Sequence, residues 1–198
     1  MKGKIIGITG GVAAGKTTVA DMFVKKGARL VDADSIAHML INEDGMKKRI
    51  AEEFGDELIK DGKVDRLALR KKVFSDKKKI EILSGILHPL IIARIKNEAE
   101  REKESGTVVI DAPLLVECGL NNYVDKVIVV KAKRATRIKR ALTRGLTEDE
   151  VLGIMESQLP QKEKERVADY IIDNDNDLET IRKGVEEIWQ KVQEAEKN

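Results

Sequence analysis

A glycine-rich segment near the start of the chain carries residues whose types and spacing suit phosphate chemistry. Residues 10–17 follow the pattern of a glycine, four free positions and then Gly-Lys-Thr. In such loops backbone N–H groups surround phosphate oxygens, the lysine reaches the β- and γ-phosphates of a nucleotide, and the threonine hydroxyl ligates Mg²⁺. The pattern predicts a nucleotide site in which Lys16 is catalytic and Thr17 is a metal ligand. The expected contacts are Gly11, Val12, Ala13, Ala14, Gly15, Lys16, Thr17 and Thr18.

The residues that flank this segment, called here the phosphate loop (residues 10–17), have the character that it requires. Residues 4–9 form a short apolar run typical of a buried strand, and residues 18–26 have a helical period that Gly27 closes. Strand, glycine loop and helix, in this order, place phosphates at the positive end of the helix. A plain glycine-rich turn, the alternative, does not account for these flanks.

Two carboxylates directly follow the next apolar run, residues 29–31. Because open α/β sheets bind ligands at the carboxyl ends of their strands, Asp32 and Asp34 are candidates to accept a proton from an attacking hydroxyl or to orient water on Mg²⁺. The alternative is that they cap the following helix. The apolar residues 107–110 end in Asp111, which is a weaker indication of a metal-side carboxylate because many strands end in Asp.

A basic segment, residues 131–144, contains no acidic residue. It is a solvated helix face, a nucleic-acid patch, or a lid that neutralises charge at a transferred phosphate. The absence of aromatic residues leaves base stacking unsupported. Arg137, Arg140 and Arg144 have the three- and four-residue spacing of one helix face, which favours the lid in a phosphate-transferring enzyme.

Strand-like and helical segments alternate along the chain, which predicts an α/β fold with a parallel sheet wrapped by helices. The segment of residues 35–105 is too long for a simple crossover and predicts a helical insertion, with a helix boundary at His88-Pro89. Residues 134–166 predict a second helical insertion. Residues 177–198 have the spacing of one amphipathic helix, in which Trp189 is a core anchor. The five predicted strands are residues 4–9, 29–31, 107–110, 127–130 and 170–172.

Composition limits the classes of function. The 198 residues suffice for one sizeable core, and 37 basic against 35 acidic residues give a net charge of only +2, so bulk charge does not indicate a nucleic-acid partner. The single Cys118 excludes an internal disulfide and suits a reducing compartment. No apolar run reaches the roughly 18 residues of a membrane span. With no signal-peptide pattern at the start, we expect a cytoplasmic monomer.

Motifs spread in order over nearly the whole chain resemble those of the dephospho-coenzyme A kinase family. They are residues 8–18, 32–37, 88–91 and 113–117, the arginines before Leu146 and Thr147, Gln158, and residues 164–174. The resemblance implies an α/β fold of the P-loop kinase type, with three layers and a five-stranded parallel sheet. It also implies transfer of the γ-phosphate of ATP, with Mg²⁺, to the ribose 3′-hydroxyl of dephospho-CoA. One domain is expected, made of a nucleotide-binding core (1–34, 106–133 and 167–198), an acceptor-binding helical region (35–105) and a lid (134–166).

The resemblance also implies roles for individual residues. Asp34 is the expected base, Asp32 supports the metal or its waters, and Arg140 and Asn174 lie near ATP, with Arg140 catalytic. His38 stands where the family usually has Arg, and the segment 144–147 is one residue shorter than usual. The implied acceptor-binding residues are Thr9, Asp32, Asp34, His38, His88, Pro113, Leu114, Leu115, Glu117 and Arg137.

Other functions remain open at this point. A kinase of another small acceptor, such as a nucleoside monophosphate, shares the same fold-level logic. A GTPase is disfavoured because the sequence lacks an Asn-Lys-x-Asp run. A nucleic-acid-binding module would bind DNA with a steep dependence on salt concentration.

Overall fold

The computed structural model describes residues 3–74 and 76–197. It divides into two compact units, which we call the core unit (residues 1–32 and 97–198) and the helical unit (residues 33–96). In chain order the elements are β1 (Ile5–Thr9), α1 (Lys16–Val24), β2 (Arg29–Asp32), α2 (Ala33–Ile41), α3 (Asp44–Phe54), β3 (Ile59–Lys60), β4 (Lys63–Val64), α4 (Arg66–Phe74), α5 (Lys77–Lys103), β5 (Val108–Asp111), β6 (Lys126–Lys131), α6 (Arg134–Leu142), α7 (Glu148–Ser157), α8 (Gln161–Arg166), β7 (Tyr170–Asp173) and α9 (Leu178–Lys197).

The sheet of the core unit is parallel, with the order β2-β5-β1-β6-β7. All five residues of β1 are buried, as expected of a central parallel strand covered on both faces. The five predicted strands are confirmed, and no boundary differs by more than one residue. Parallel register puts the carboxyl ends of β1, β2 and β5 side by side, which pairs Asp32 with Asp111. The chemistry-bearing residues that follow these strands therefore meet at one edge.

Helices α1 and α9 cover one face of this sheet with apolar side chains. Phe23 of α1 is fully buried, and its ring centroid lies 6.3 Å from that of the partly buried Trp189 of α9. The predicted amphipathic C-terminal helix is confirmed, with Trp189 packed against the core. The buried members of α9 are Ile181, Val185, Ile188 and Val192. Burial of this stripe fixes α1, and with it the phosphate loop that precedes α1.

The helical unit has an apolar cluster of its own, in which Ile50, Phe54 and Leu58 are almost completely buried. Among its described residues it also contains the short antiparallel pair β3-β4. These strands were not predicted, because two residues are too few for an alternating pattern. The side chain of Asn42 accepts a hydrogen bond from the Val64 N–H at 3.1 Å and so fixes the hairpin beside α2.

The prediction that His88-Pro89 marks a helix boundary is wrong. Helix α5 runs through this position without interruption, with Pro89 inside it. An interior proline removes one backbone hydrogen bond and costs about 3 kcal/mol or more. Ile86 and Ile95, on either side of the proline, are both buried. Packing of these apolar side chains outweighs the preference of proline against a helix interior. No helix among residues 3–74 and 76–197 has the length and apolar character to cross a membrane.

Candidate active site

The phosphate loop joins the end of β1 to the first turn of α1. Gly15 lies at the helix N-terminus with a φ of 97°, and Ala13 has a φ of 54°. The loop backbone therefore turns back toward the helix axis, where N–H groups and the helix dipole attract anions. The ammonium Nζ of Lys16 lies 3.5 Å from the carbonyl oxygen of Gly11, so the lysine folds back over the loop. These features are the ones expected of a loop that binds a polyphosphate.

Asn174, which follows β7, stabilises this conformation by a hydrogen bond to the loop backbone. Its side-chain Nδ2 donates to the carbonyl of Ala14 at 2.7 Å, and its own N–H donates to the carbonyl of Lys131 at 2.8 Å. A Cβ built on Gly15 would collide with Nδ2 of Asn174. The amide is thus directed at the loop backbone, an arrangement that we call the Asn174 clamp, and the expected contact of Asn174 with ATP stays a prediction.

Gly15→Ala should weaken ATP binding at least tenfold, because the new Cβ meets two obstacles. A left-handed φ costs a non-glycine residue about 1–2 kcal/mol, and about 1.4 kcal/mol is a factor of ten. The Cβ must in addition displace Asn174. Calorimetric titration with ATP measures the effect. Gly27→Ala is the matched control, since Gly27 has a φ of 105° and nothing within 4 Å of its built Cβ. Equal ATP affinity in the two variants would contradict the expected effect of the Asn174 clamp on ATP binding.

Thr17 and two carboxylates lie where the sequence predicts a metal side of the site. The hydroxyl of Thr17 donates to Oδ2 of Asp111 at 3.0 Å, and Asp32 is the residue in register with Asp111 on the neighbouring strand. Mg²⁺ usually takes one or two protein oxygens and fills its other positions with phosphate and water. Among the described residues no cluster of three or more His, Cys, Asp and Glu side chains could hold a metal alone. The oxygens present fit a cation that arrives with the nucleotide.

The segment predicted to be a lid (residues 134–166) places one arginine against the phosphate loop and another against Asn174. A Cβ on Gly11 would collide with Nη1 of Arg137, and Nη2 of Arg140 donates to the carbonyl of Asn174 at 2.8 Å. Burial, and secondarily the charge of Arg134, lowers the pKa of Arg137. Nε of Arg137 and Nη1 of Arg140 are buried without a hydrogen-bond partner in the described structure. An anion would reach these two donors only if the arginine side chains moved, because both atoms are buried in this arrangement.

Arg144 does not share this face, so the prediction of a three-arginine row is wrong in part. Helix α6 ends at Leu142, and the N–H groups of Gly145 and Leu146 bond back to the carbonyls of Leu142 and Ala141. Gly145, with a φ of 85°, reverses the chain there. Arg144 lies in this turn and is exposed. The regular helix ends two residues before Arg144, and Gly145 adopts the left-handed conformation that allows the chain to turn there.

Several residues that were expected to bind the acceptor follow β5, in the segment that we call the β5 loop (residues 112–119). Pro113 and Leu114 are half-exposed there. Leu115 and Thr9 are fully buried, and Thr9 donates to the carbonyl of Pro113 at 3.2 Å. Since these two side chains show no surface to a ligand, the structure corrects their expected role from contact to support. The carboxylate of Glu117 faces Lys164, at 2.8 Å, instead of solvent.

The helical unit carries the remaining predicted residues. Helix α2 begins at Ala33, so Asp34 lies in its first turn and is exposed. The alternative that Asp34 caps the following helix is therefore wrong, because this helix starts before Asp34. His38 is exposed one turn further along the same helix. His88 is half-buried in α5, and burial lowers its pKa.

Two functional contacts were not identified from the sequence. Oε1 of Gln158 accepts the N–H of Val12 in the phosphate loop at 2.9 Å, although Gln158 had been noted only as part of a motif. Lys164 is completely buried in α8. Its neighbours Gln161–Arg166 read QKEKER, a composition typical of a solvated helix, so no local signal distinguishes Lys164.

Comparison with known proteins agrees with this geometry. A family model described as dephospho-CoA kinase matches residues 4–180. A dephospho-CoA kinase of Fusobacterium nucleatum is 35% identical over 190 residues, which cover 95% of this chain and 98% of that protein. One of Listeria monocytogenes is 41% identical over 189 residues, which cover 92% and 94%. The solved structure of dephospho-CoA kinase from Campylobacter jejuni superposes with a TM-score of 0.74 at 29% identity, covering 97% of this chain and 98% of that one.

Proposed function

Since the chain belongs to the dephospho-CoA kinase family, we propose that it transfers the γ-phosphate of ATP to the ribose 3′-hydroxyl of dephospho-CoA, giving CoA and ADP. The observation that carries the ATP half of this reaction is the phosphate loop, with Lys16 folded over it and Arg137 against Gly11. Phosphoryl transfer needs little covalent help from the protein, and positioning with charge neutralisation supplies most of the rate.

On the ATP side, we propose that loop N–H groups and Lys16 hold the phosphates while Arg140 approaches the transferred group. An unsatisfied buried donor costs about 1–3 kcal/mol, so a phosphate that binds Nε of Arg137 and Nη1 of Arg140 relieves a penalty that the protein alone carries. Contacts that strengthen as charge develops on the γ-phosphate raise turnover more than affinity. Arg140 therefore acts as a catalytic residue in this proposal.

We propose that Thr17 and Asp32 hold Mg²⁺ together with the phosphates, with Asp111 positioning the Thr17 hydroxyl. The metal would supply charge neutralisation across the β- and γ-phosphate oxygens. The protein's own part is to present a hydroxyl and carboxylates at the strand ends, in a position fixed by the sheet register.

On the acceptor side, we propose Asp34 as the general base. The hydroxyl must lie about 3 Å from phosphorus and in line with the leaving oxygen. Support comes from the family and from the exposed carboxylate two residues after the end of β2. His38, His88, Pro113 and Leu114 remain proposed acceptor contacts. We also propose a cytoplasmic monomer, which fits the single Cys118.

An acceptor panel tests the proposed reaction. ADP release is followed in a coupled assay with dephospho-CoA, AMP, CMP, adenosine or pantothenate as the only acceptor, and CoA is identified by mass. We expect ADP release to depend on dephospho-CoA and to match CoA formation one to one. Preferential phosphorylation of AMP or CMP would instead identify a nucleoside monophosphate kinase.

A further inference from the structure

A completely buried lysine in a short helix of polar and charged residues requires a physical explanation. Lys164 is 0% exposed, whereas Lys162 and Arg166 of the same helix α8 are exposed. Burial of a charged group costs several kcal/mol unless partners compensate for the lost water. Burial does lower the pKa of Lys164, and the bond to Glu117 opposes that shift.

The two groups that compensate for the burial of Lys164 both lie in the β5 loop. The Nζ of Lys164 donates to the carbonyl of Pro113 at 2.6 Å and lies 2.8 Å from Oε1 of Glu117. One ammonium group thus connects the first part of the loop to its far part. A point cation with three donors suits two oxygens of such different geometry.

The same two oxygens also accept hydrogen bonds from Thr9, directly before the phosphate loop, and from Leu159. The hydroxyl of Thr9 donates to the carbonyl of Pro113 at 3.2 Å, and the N–H of Leu159 donates to Oε1 of Glu117 at 3.0 Å. Gln158, the residue before Leu159, accepts the N–H of Val12. A continuous set of contacts therefore runs from Thr9 through Pro113, Lys164 and Glu117 to residues 158–159, and returns to Val12.

We propose that Lys164 is a positioning residue, which holds the β5 loop and residues 158–159 in fixed positions beside the phosphate loop. The inference rests on the proposed function, in which Pro113 and Leu114 of the β5 loop contact the acceptor. Loss of the Lys164 contacts releases the acceptor side of the site. The ATP side keeps the Asn174 clamp, which Lys164 does not touch.

The test variant is Lys164→Met combined with Glu117→Gln. Neutral replacement of both partners avoids leaving a buried carboxylate unpaired, and such replacements are often neutral for stability. We expect cooperative thermal unfolding near that of the wild type. The ATP dissociation constant should change much less than kcat/KM, because Asn174 still holds the phosphate loop. A displacement of about 1 Å costs up to about 10²-fold, so kcat/KM for dephospho-CoA should fall about 10- to 100-fold. Lys162→Met, an exposed lysine of the same helix, is the matched control and should match the wild type.

The outcomes separate this inference from the proposed function. Failure of the wild type to phosphorylate dephospho-CoA overturns the function itself. A folded double variant with kcat/KM within about threefold of an active wild type overturns the role of Lys164, as does a loss of ATP affinity equal to the loss of kcat/KM. If the double variant does not unfold cooperatively, the kcat/KM of the Lys164→Arg variant tests the proposal instead. Its bulkier guanidinium keeps the charge pair but cannot fill the ammonium position, so kcat/KM should fall at least about threefold, and a wild-type value overturns the proposal.

Discussion

Asp34→Asn is expected to lower kcat about 10²- to 10⁴-fold while ATP affinity changes little. The amide has the size of the carboxylate but cannot accept the proton of the attacking hydroxyl. Steady-state kinetics with dephospho-CoA, together with calorimetric titration of ATP, measure the two quantities. Asp44→Asn is the matched control, because Asp44 is an exposed residue in the first turn of the next helix, α3. A kcat for Asp34→Asn within about threefold of the wild type would remove Asp34 from the proton transfer.

The variant Asp32→Asn distinguishes a carboxylate that supports the metal from one that accepts the proton. Asp32 ends β2 beside Asp111, whereas Asp34 lies in α2. If Asp32 supports the metal, raising the Mg²⁺ concentration should restore part of the lost rate in Asp32→Asn and none in Asp34→Asn. Equal losses that do not respond to Mg²⁺ would contradict this division of roles.

Lys16→Ala is expected to lower turnover about 10²- to 10³-fold or more, because one fixed charge at the transferred phosphate is lost. The ammonium of Lys16 lies over the loop, near the carbonyl of Gly11, and not in the apolar core. The melting temperature should therefore stay within about 2–4 °C of the wild type, the shift that roughly 1 kcal/mol causes in a chain of this size.

Lys25→Ala provides the control for this charge removal. Lys25 is exposed and lies at the opposite end of the same helix α1, away from the phosphate loop. Its kinetics should equal those of the wild type. Near-full turnover of Lys16→Ala would mean that the loop does not bind the transferred phosphate.

Features that depend on neighbouring residues were predictable from the sequence. Short apolar runs indicated each strand of the parallel sheet, and the glycine, lysine and threonine spacing indicated the loop between β1 and α1. Both signals are local, since a buried strand and a phosphate loop each need particular residues within a span of about ten positions. The C-terminal helix was evident for the same reason, from the spacing of its apolar side chains.

Features that depend on distant partners were not predictable. Pro89 suggested a helix end, but tertiary packing keeps α5 continuous. Lys164 resembles any exposed lysine until the fold brings Pro113 and Glu117 to it, from 51 positions away in the case of Pro113. Asn174 was assigned to ATP by family resemblance, whereas its bond to Ala14 requires the sheet to place β7 and the phosphate loop together. Single-sequence patterns do not encode such pairings.

The separation between the phosphate loop and its supports has a consequence for biosynthesis. The bonds from Asn174 to Ala14 and from Val12 to Gln158 span 160 and 146 positions. A nascent chain on the ribosome therefore contains the whole nucleotide motif long before the residues that rigidify it leave the exit tunnel. During that interval the motif is tethered only to α1 and to a strand, β1, whose neighbour β6 is still to be made. We therefore expect the ability to capture ATP to arise only after Gln158 and Asn174 have left the tunnel.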